Sequence, residues 1–144
     1  MGETAAVAVA VWLIALSAYD FRHQRLPNRL TVPGAMVILT VASVAGRGMP
    51  ATLGALALTG IYAIVHLRSP AALGAGDVKL AIGVGALTGA FGMQAWALCA
   101  VGASLLTGLW GVARLARGSR SAVPHGPSMC LAAAFAVAGT LLSG

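Results

Sequence analysis

Apolar runs broken by short polar segments fill this sequence from end to end, and that alternation restricts what the chain can fold into. Six runs can be read, at 4–19, 30–46, 50–67, 77–90, 93–115 and 128–143. A helix needs about 20 mostly apolar residues to cross the hydrocarbon of a bilayer. Several runs fall short of that, the fourth most obviously, and its glycines suit it to the inside of a bundle. Charged residues make up 8% of the 144 and hydrophobic ones 59%, whereas a soluble domain carries about 25% charged residues. The expectation is an all-α fold: a polytopic membrane helix bundle with about six transmembrane helices, forming a single domain over 1–144.

The basic residues test that reading. Arg22, Arg25 and Arg29 follow the first run, Arg68 and Lys79 flank the third break, and Arg114, Arg117 and Arg120 follow the fifth run. Arg47 alone lies in the second break, so eight of the nine Lys and Arg residues fall in alternate breaks. By the positive-inside rule those breaks are cytoplasmic and the N-terminus is outside. Fusing the fourth and fifth runs into one span would put the 114–120 cluster on the wrong side. The segment before the first run holds Glu3 and no Lys or Arg, which favours a retained first span over a cleaved signal peptide. Topology thus accounts for the net charge of +6, and no polar segment is long enough to fold as a nucleic-acid recognition module. Cys99 and Cys130 fall in apolar runs without CxxC or Cys/His spacing, so they read as small buried residues, with no metal or other cofactor expected.

Three acids remain: Glu3, Asp20 and Asp77. In the six-run topology Asp20 ends the first helix and Asp77 begins the fourth, which returns both to the cytoplasmic face. An acid within a bilayer costs ~2.5–3.5 kcal/mol on insertion scales and usually faces an interior or an aqueous cavity. Two at one level suggest a site. A capping role is open as well, with Asp77 as an N-cap and Asp20 paired to Arg22 or Arg25.

The flanking residues bear on that choice. Asp20 stands in "YDFRHQRLPNRLT", with six residues between it and Pro27-Asn28; Asp77 stands in "GAGDVKL", with Gly74, Gly76 and Lys79; "VPHGPSMCLA" follows from Val123, with Pro124, Gly126 and Pro127. In these residues the chain resembles the prepilin leader peptidases of type IV pili and related secretion systems. These are intramembrane aspartic proteases of the GxGD type, a motif style shared with presenilin. The patterns D-x6-P-N, G-x-G-D-x-K and P-x-G-P occur in order, and the resemblance covers essentially the whole chain. It implies Asp20 and Asp77 as the catalytic pair. The implied substrate is a membrane-inserted prepilin or pseudopilin, cut after a short basic leader at the cytoplasmic face. The setting is a bacterial or archaeal cytoplasmic membrane. Larger family members carry CxxC pairs that bind zinc, associated with N-methylation, after the first span. Residues 21–29 hold no cysteine, so the chain resembles the short, peptidase-only form.

Two nearby carboxyls cannot easily both ionise and share a proton, so one can activate water while the other protonates the scissile carbonyl. Asp77, at the positive end of its helix, is the expected base, and Asp20, at the negative end of its own, the expected donor. Gly74 and Gly76 would permit positive φ and let a peptide lie against an extended Gly-Ala-Gly segment. Pro27 and Asn28 would shape the start of the second helix, Asn28 as a cap or loop bond, or else contact substrate. Lys79, on a different helix face, would either snorkel to the headgroups or influence the acids. With Gly74, Gly76, Pro124, Gly126 and Pro127 they stand as motif or substrate-positioning residues. His23, His66 and His125 read as interfacial residues; Trp12, Trp96 and Trp110 read as packing or interface anchors. Two other functions compete. A small proton-coupled transporter would use the acids as a relay, and an inactive secretion scaffold would use them as caps. Neither explains the three motifs together.

Overall fold

A computed structural model describes residues 2–120 and 123–144, and within them the regular structure is helical throughout. The elements are α1 (Glu3–His23), α2 (Asn28–Val44), α3 (Gly48–Arg68), α4 (Ala75–Ala90), α5 (Met93–Ala116) and α6 (Gly126–Ser143). Each corresponds to one of the six apolar runs. Helices α1, α3, α5 and α6 are long and apolar enough to cross a membrane. At about 1.5 Å per residue, the 17 residues of α2 and 16 of α4 fall short of the ~30 Å hydrocarbon thickness.

α4 solves its shortness by lying inside. It packs against α2, α3, α5 and α6, and Leu80, Ala81 and residues 83–89 are buried. A helix that is apolar all round belongs in an interior. Lipid is as apolar as these side chains, so hydrophobicity alone cannot hold it there; close backbone approach through small residues can. The GxxxG pair does this. A Cβ on Gly85 would lie 2.6 Å from the Gly54 carbonyl of α3, and one on Gly89 would lie 2.6 Å from the Pro50 carbonyl.

Tryptophans pin the same packing. The Trp96 indole N–H donates to the Gly54 carbonyl at 3.0 Å. Trp12 donates to the Leu30 carbonyl at 2.8 Å, and its ring fills the space beside Gly34 and Gly83. Leu13, Leu16, Leu58, Leu80, Val84 and Met129 form the centre of the core. Large apolar residues such as Val11, Ile14, Leu56, Leu105 and Leu109 point outward, as a surface facing lipid requires. Ser43, Thr88 and Ser104 donate to the carbonyl four residues earlier, so their hydroxyls are satisfied within their own helices.

Candidate active site

Asp20 is reached from the last turns of α1. The helix continues to His23 and ends where Gln24 adopts a left-handed conformation (φ 49°), so Asp20 lies inside the helix, where it had been expected to close it. It is only 5% exposed. Its carboxylate accepts the backbone N–H of Gly126 at 3.1 Å, and no ion pair to Arg22 or Arg25 is present among the described residues. Gly126 is the first residue of α6, one of the positions whose N–H groups have no partner within the helix. Asp20 therefore lies within the last turns of its own helix and caps a different one. A Cβ at Gly126 would stand 2.5 Å from Asp20 Oδ2 and 3.1 Å from Asp20 Cγ, which explains in steric terms why P-x-G-P carries glycine there.

Asp77 lies in the first turn of α4, half-buried. The N-cap is Gly74, in an extended conformation (φ −74°, ψ 156°), so Asp77 is the third residue of the helix and is not its cap. Its carboxylate meets the Gly74 backbone N–H, the reach-back half of a capping box. Asp20 and Asp77 lie within Coulombic range of each other. Tyr62 of α3 is within the field of Asp77, and Cys130 of α6 is within the fields of both acids.

The glycines of the second motif act differently from expectation. Positive φ among the described glycines occurs at Gly46, Gly92 and Gly118, not at Gly74 or Gly76. The chain from Ala75 is already helical, so no Gly-Ala-Gly extended segment exists. Gly76 instead makes room for the loop between α1 and α2: a Cβ there would lie 3.2 Å from Leu26 Cβ and 3.3 Å from Leu26 N. At Gly74 a Cβ would meet only Asp77 Oδ2, at 3.8 Å.

Pro27 is the N-cap residue of α2, and its carbonyl accepts from the Thr31 backbone N–H and side-chain hydroxyl, both at 3.2 Å. Asn28 makes no cap. Its side-chain carbonyl accepts from Lys79 Nζ at 2.8 Å, so Lys79 turns inward to tie the second motif to the first rather than snorkelling to lipid. His66 Nδ1–H donates to the Leu73 carbonyl at 2.6 Å, anchoring the segment that leads into Gly74. Pro124 and Pro127 flank the α6 start, with Pro127 at the second helical position, where its missing N–H costs nothing.

Sequence reasoning missed a cluster beside Gly126. His125 is half-buried, with Nε2 2.7 Å from the Tyr62 hydroxyl and Nδ1 2.6 Å from the Thr107 hydroxyl. Burial lowers its pKa to about 4, so it is neutral at pH 7. Its place inside the third motif was the available signal; nothing local marked Tyr62 or Thr107.

An open apolar groove of about 840 Å³ runs between α1, α5 and α6 and takes in Phe21 and Pro127, the chain neighbours of Asp20 and Gly126. Ser17, Ala18 and Phe21 line it from α1, Leu109 and Trp110 from α5, and Leu131 from α6. Phe21 and Trp110 close one end with ring centroids 5.3 Å apart.

A model of the type IV leader peptidase family matches residues 7–112, a stretch that holds the first two motifs but not the third. A prepilin leader peptidase/N-methyltransferase of Xanthomonas campestris pv. campestris is 31% identical over 137 residues, 88% of this chain and 47% of that protein. The chain thus spans about half the length of this curated relative. No solved structure matches it. With the family match extending over most of its length and the motif residues gathered around two acids, the chain belongs to the type IV leader peptidase family.

Proposed function

We propose that this chain is an intramembrane aspartic endopeptidase that removes the short basic leader of prepilin-like substrates, with Asp20 and Asp77 as its catalytic pair. The observation that carries the reading is the convergence of these two acids, from α1 and α4, within each other's electrostatic field. Glu3 is the only other acid in the sequence. The basic clusters on the same side favour the cytoplasmic face of a bacterial or archaeal cytoplasmic membrane.

In this mechanism Asp77 accepts a proton from water as the water oxygen attacks the scissile carbonyl carbon. Asp20 gives its proton to the carbonyl oxygen, and the tetrahedral diol forms without a covalent enzyme intermediate. Collapse breaks the C–N bond as Asp77 passes the proton it took from water to the leaving nitrogen and Asp20 recovers a proton from a hydroxyl of the diol, which restores both acids. One Asp20 oxygen is taken by the Gly126 N–H, which leaves the other to carry the transferred proton. Asp77 keeps the larger exposed surface of the two and in this reading is the one that meets water. The groove between α1, α5 and α6 is apolar enough to take the hydrophobic helix that continues beyond a prepilin cleavage site. Cys99 and Cys130 are buried core residues, and the reading assigns this chain no methyl transfer.

Co-expression with a cognate prepilin tests this directly. Processing is followed as a mobility shift for wild type, Asp20→Asn and Asp77→Asn at matched membrane levels. Loss of cleavage in both variants is expected; wild-type processing by either one returns the acids to capping or proton relay.

A further inference from the structure

The start of α6 is held by one side chain that the catalytic scheme does not use. His125 immediately precedes Gly126, and its two ring nitrogens reach hydroxyls on two other helices, Tyr62 of α3 and Thr107 of α5. Its carbonyl accepts from the Met129 N–H at 3.0 Å and begins the hydrogen-bond ladder of α6. The ring is thus fixed against α3 and α5 while its backbone fixes the first turn of α6. That turn meets the catalytic pair through the Gly126 N–H, which donates to Asp20 Oδ2 at 3.1 Å.

We propose that His125 is a positioning residue for catalysis: clamped between Tyr62 and Thr107, it sets the Gly126 amide against one oxygen of Asp20 and so fixes which oxygen carries the proton. The inference rests on the reading of Asp20 as a catalytic acid.

The chemistry suits the task. A neutral imidazole offers one donor and one acceptor, and both partners are hydroxyls, which can turn to serve as either. Both bonds can therefore be made at once without a charge. The low pKa that burial gives the ring keeps it in that neutral form through the working range. Tyr62 is itself buried and sits within the field of Asp77, so the clamp bears on one acid through the Gly126 amide and on the surroundings of the other through Tyr62. A free interfacial histidine would have neither bond and would point to water.

The test is steady-state cleavage of a membrane-inserted prepilin in proteoliposomes, with kcat and KM measured separately. Variants are His125→Leu, His125→Gln, Tyr62→Phe and Thr107→Val, with Asp20→Asn as control. A mis-set acid lowers kcat and leaves substrate binding alone, and a small misplacement can cost ~10²-fold. His125→Leu is expected to lose about that much in kcat with KM unchanged. Tyr62→Phe and Thr107→Val are expected to lose about 3–10-fold each, as for one neutral hydrogen bond. Gln keeps a donor and an acceptor and should recover part of the loss. Tyr62→Phe should cost nothing further in the His125→Leu background. Unchanged kcat in the Tyr62 and Thr107 variants, an effect confined to KM, or equal loss in Leu and Gln would each overturn the inference. Should His125→Leu fail to insert, the two hydroxyl variants still decide it. An active Asp20→Asn would instead overturn the protease reading, so the two failures are distinct.

Discussion

Replacing Gly126 with alanine separates fold from chemistry more cleanly than removing an acid. The added Cβ would stand 2.5 Å from Asp20 Oδ2, where ordinary contact begins near 3.4 Å, so roughly 0.9 Å of movement must be found. Asp20 is the mobile partner because its oxygen is the end of a side chain, and its χ angles can yield where a helix backbone cannot. Yielding stretches the 3.1 Å bond from the Gly126 N–H. Loss of one such bond costs about 0.5–1.5 kcal/mol, while exchanging glycine for alanine in a helix returns about 0.5–1 kcal/mol. The two nearly cancel, so thermal unfolding in detergent should move little. Catalysis has no such compensation: displacing a reacting group by about 1 Å can cost 10²-fold. Gly126→Ala should therefore insert and unfold like wild type yet process a co-expressed prepilin ~10²-fold more slowly. Wild-type processing by a normally folded Gly126→Ala would refute the steric account of the third motif and loosen the tie between α6 and Asp20.

Other perturbations follow from the same contacts. Asn28→Ala and Lys79→Met remove the two ends of one 2.8 Å bond; their effects on cleavage should be non-additive by about 0.5–1.5 kcal/mol, and strict additivity would show the bond to be idle. Gly85→Val drives a side chain into the Gly54 backbone and should destabilise by at least about 1–3 kcal/mol. Gly60→Ala, on the same α3 but with nothing within 4 Å of the added carbon, should be neutral or gain up to about 1 kcal/mol. Thermal unfolding in detergent reads both. Ala18→Trp would fill the groove between α1, α5 and α6 and should slow cleavage of a membrane-inserted prepilin more than that of a leader peptide lacking the apolar helix.

The level of the two acids in the fold was readable because topology is written in the arginines: alternate clusters set the side of each break, and Asp20 and Asp77 had to share one. The motif residues were readable as types, but their jobs were not. A glycine needed for positive φ and a glycine needed for space look the same in a sequence, and both Gly76 and Gly126 prove to be of the second kind. The bond between Asp20 and Gly126 joins residues 106 positions apart, and only the packing of α1 on α6 brings them together. The helix-dipole argument failed for a related reason. It assigned each acid the field of the helix it belongs to, whereas Asp20 lies against the N-terminus of another. The Lys79 bond to Asn28 was not legible, because the helix face of Lys79 says nothing of the loop that brings Asn28 over it.

With both carboxylates at the positive ends of helices, Asp77 in α4 and Asp20 against α6, the dipoles no longer distinguish base from acid. Surroundings do. Asp20 is nearly sealed from solvent and has one oxygen committed to a backbone donor; Asp77 is half-buried and, in the proposed mechanism, is the acid that meets the water. That division makes the two asparagine variants unequal. Asn at 20 keeps a carbonyl oxygen for the Gly126 N–H and an amide N–H that can polarise the scissile carbonyl, though it cannot transfer a proton. On the proposed assignment, Asn at 77 removes the base and leaves no acceptor of comparable strength for the proton of water. General acid–base groups contribute about 10²–10⁴-fold each. Both variants should therefore be severely impaired, with Asp20→Asn retaining measurably more single-turnover cleavage than Asp77→Asn at the same pH. The opposite order would exchange the roles, making Asp20 the base, with the Gly126 N–H serving to hold its anion.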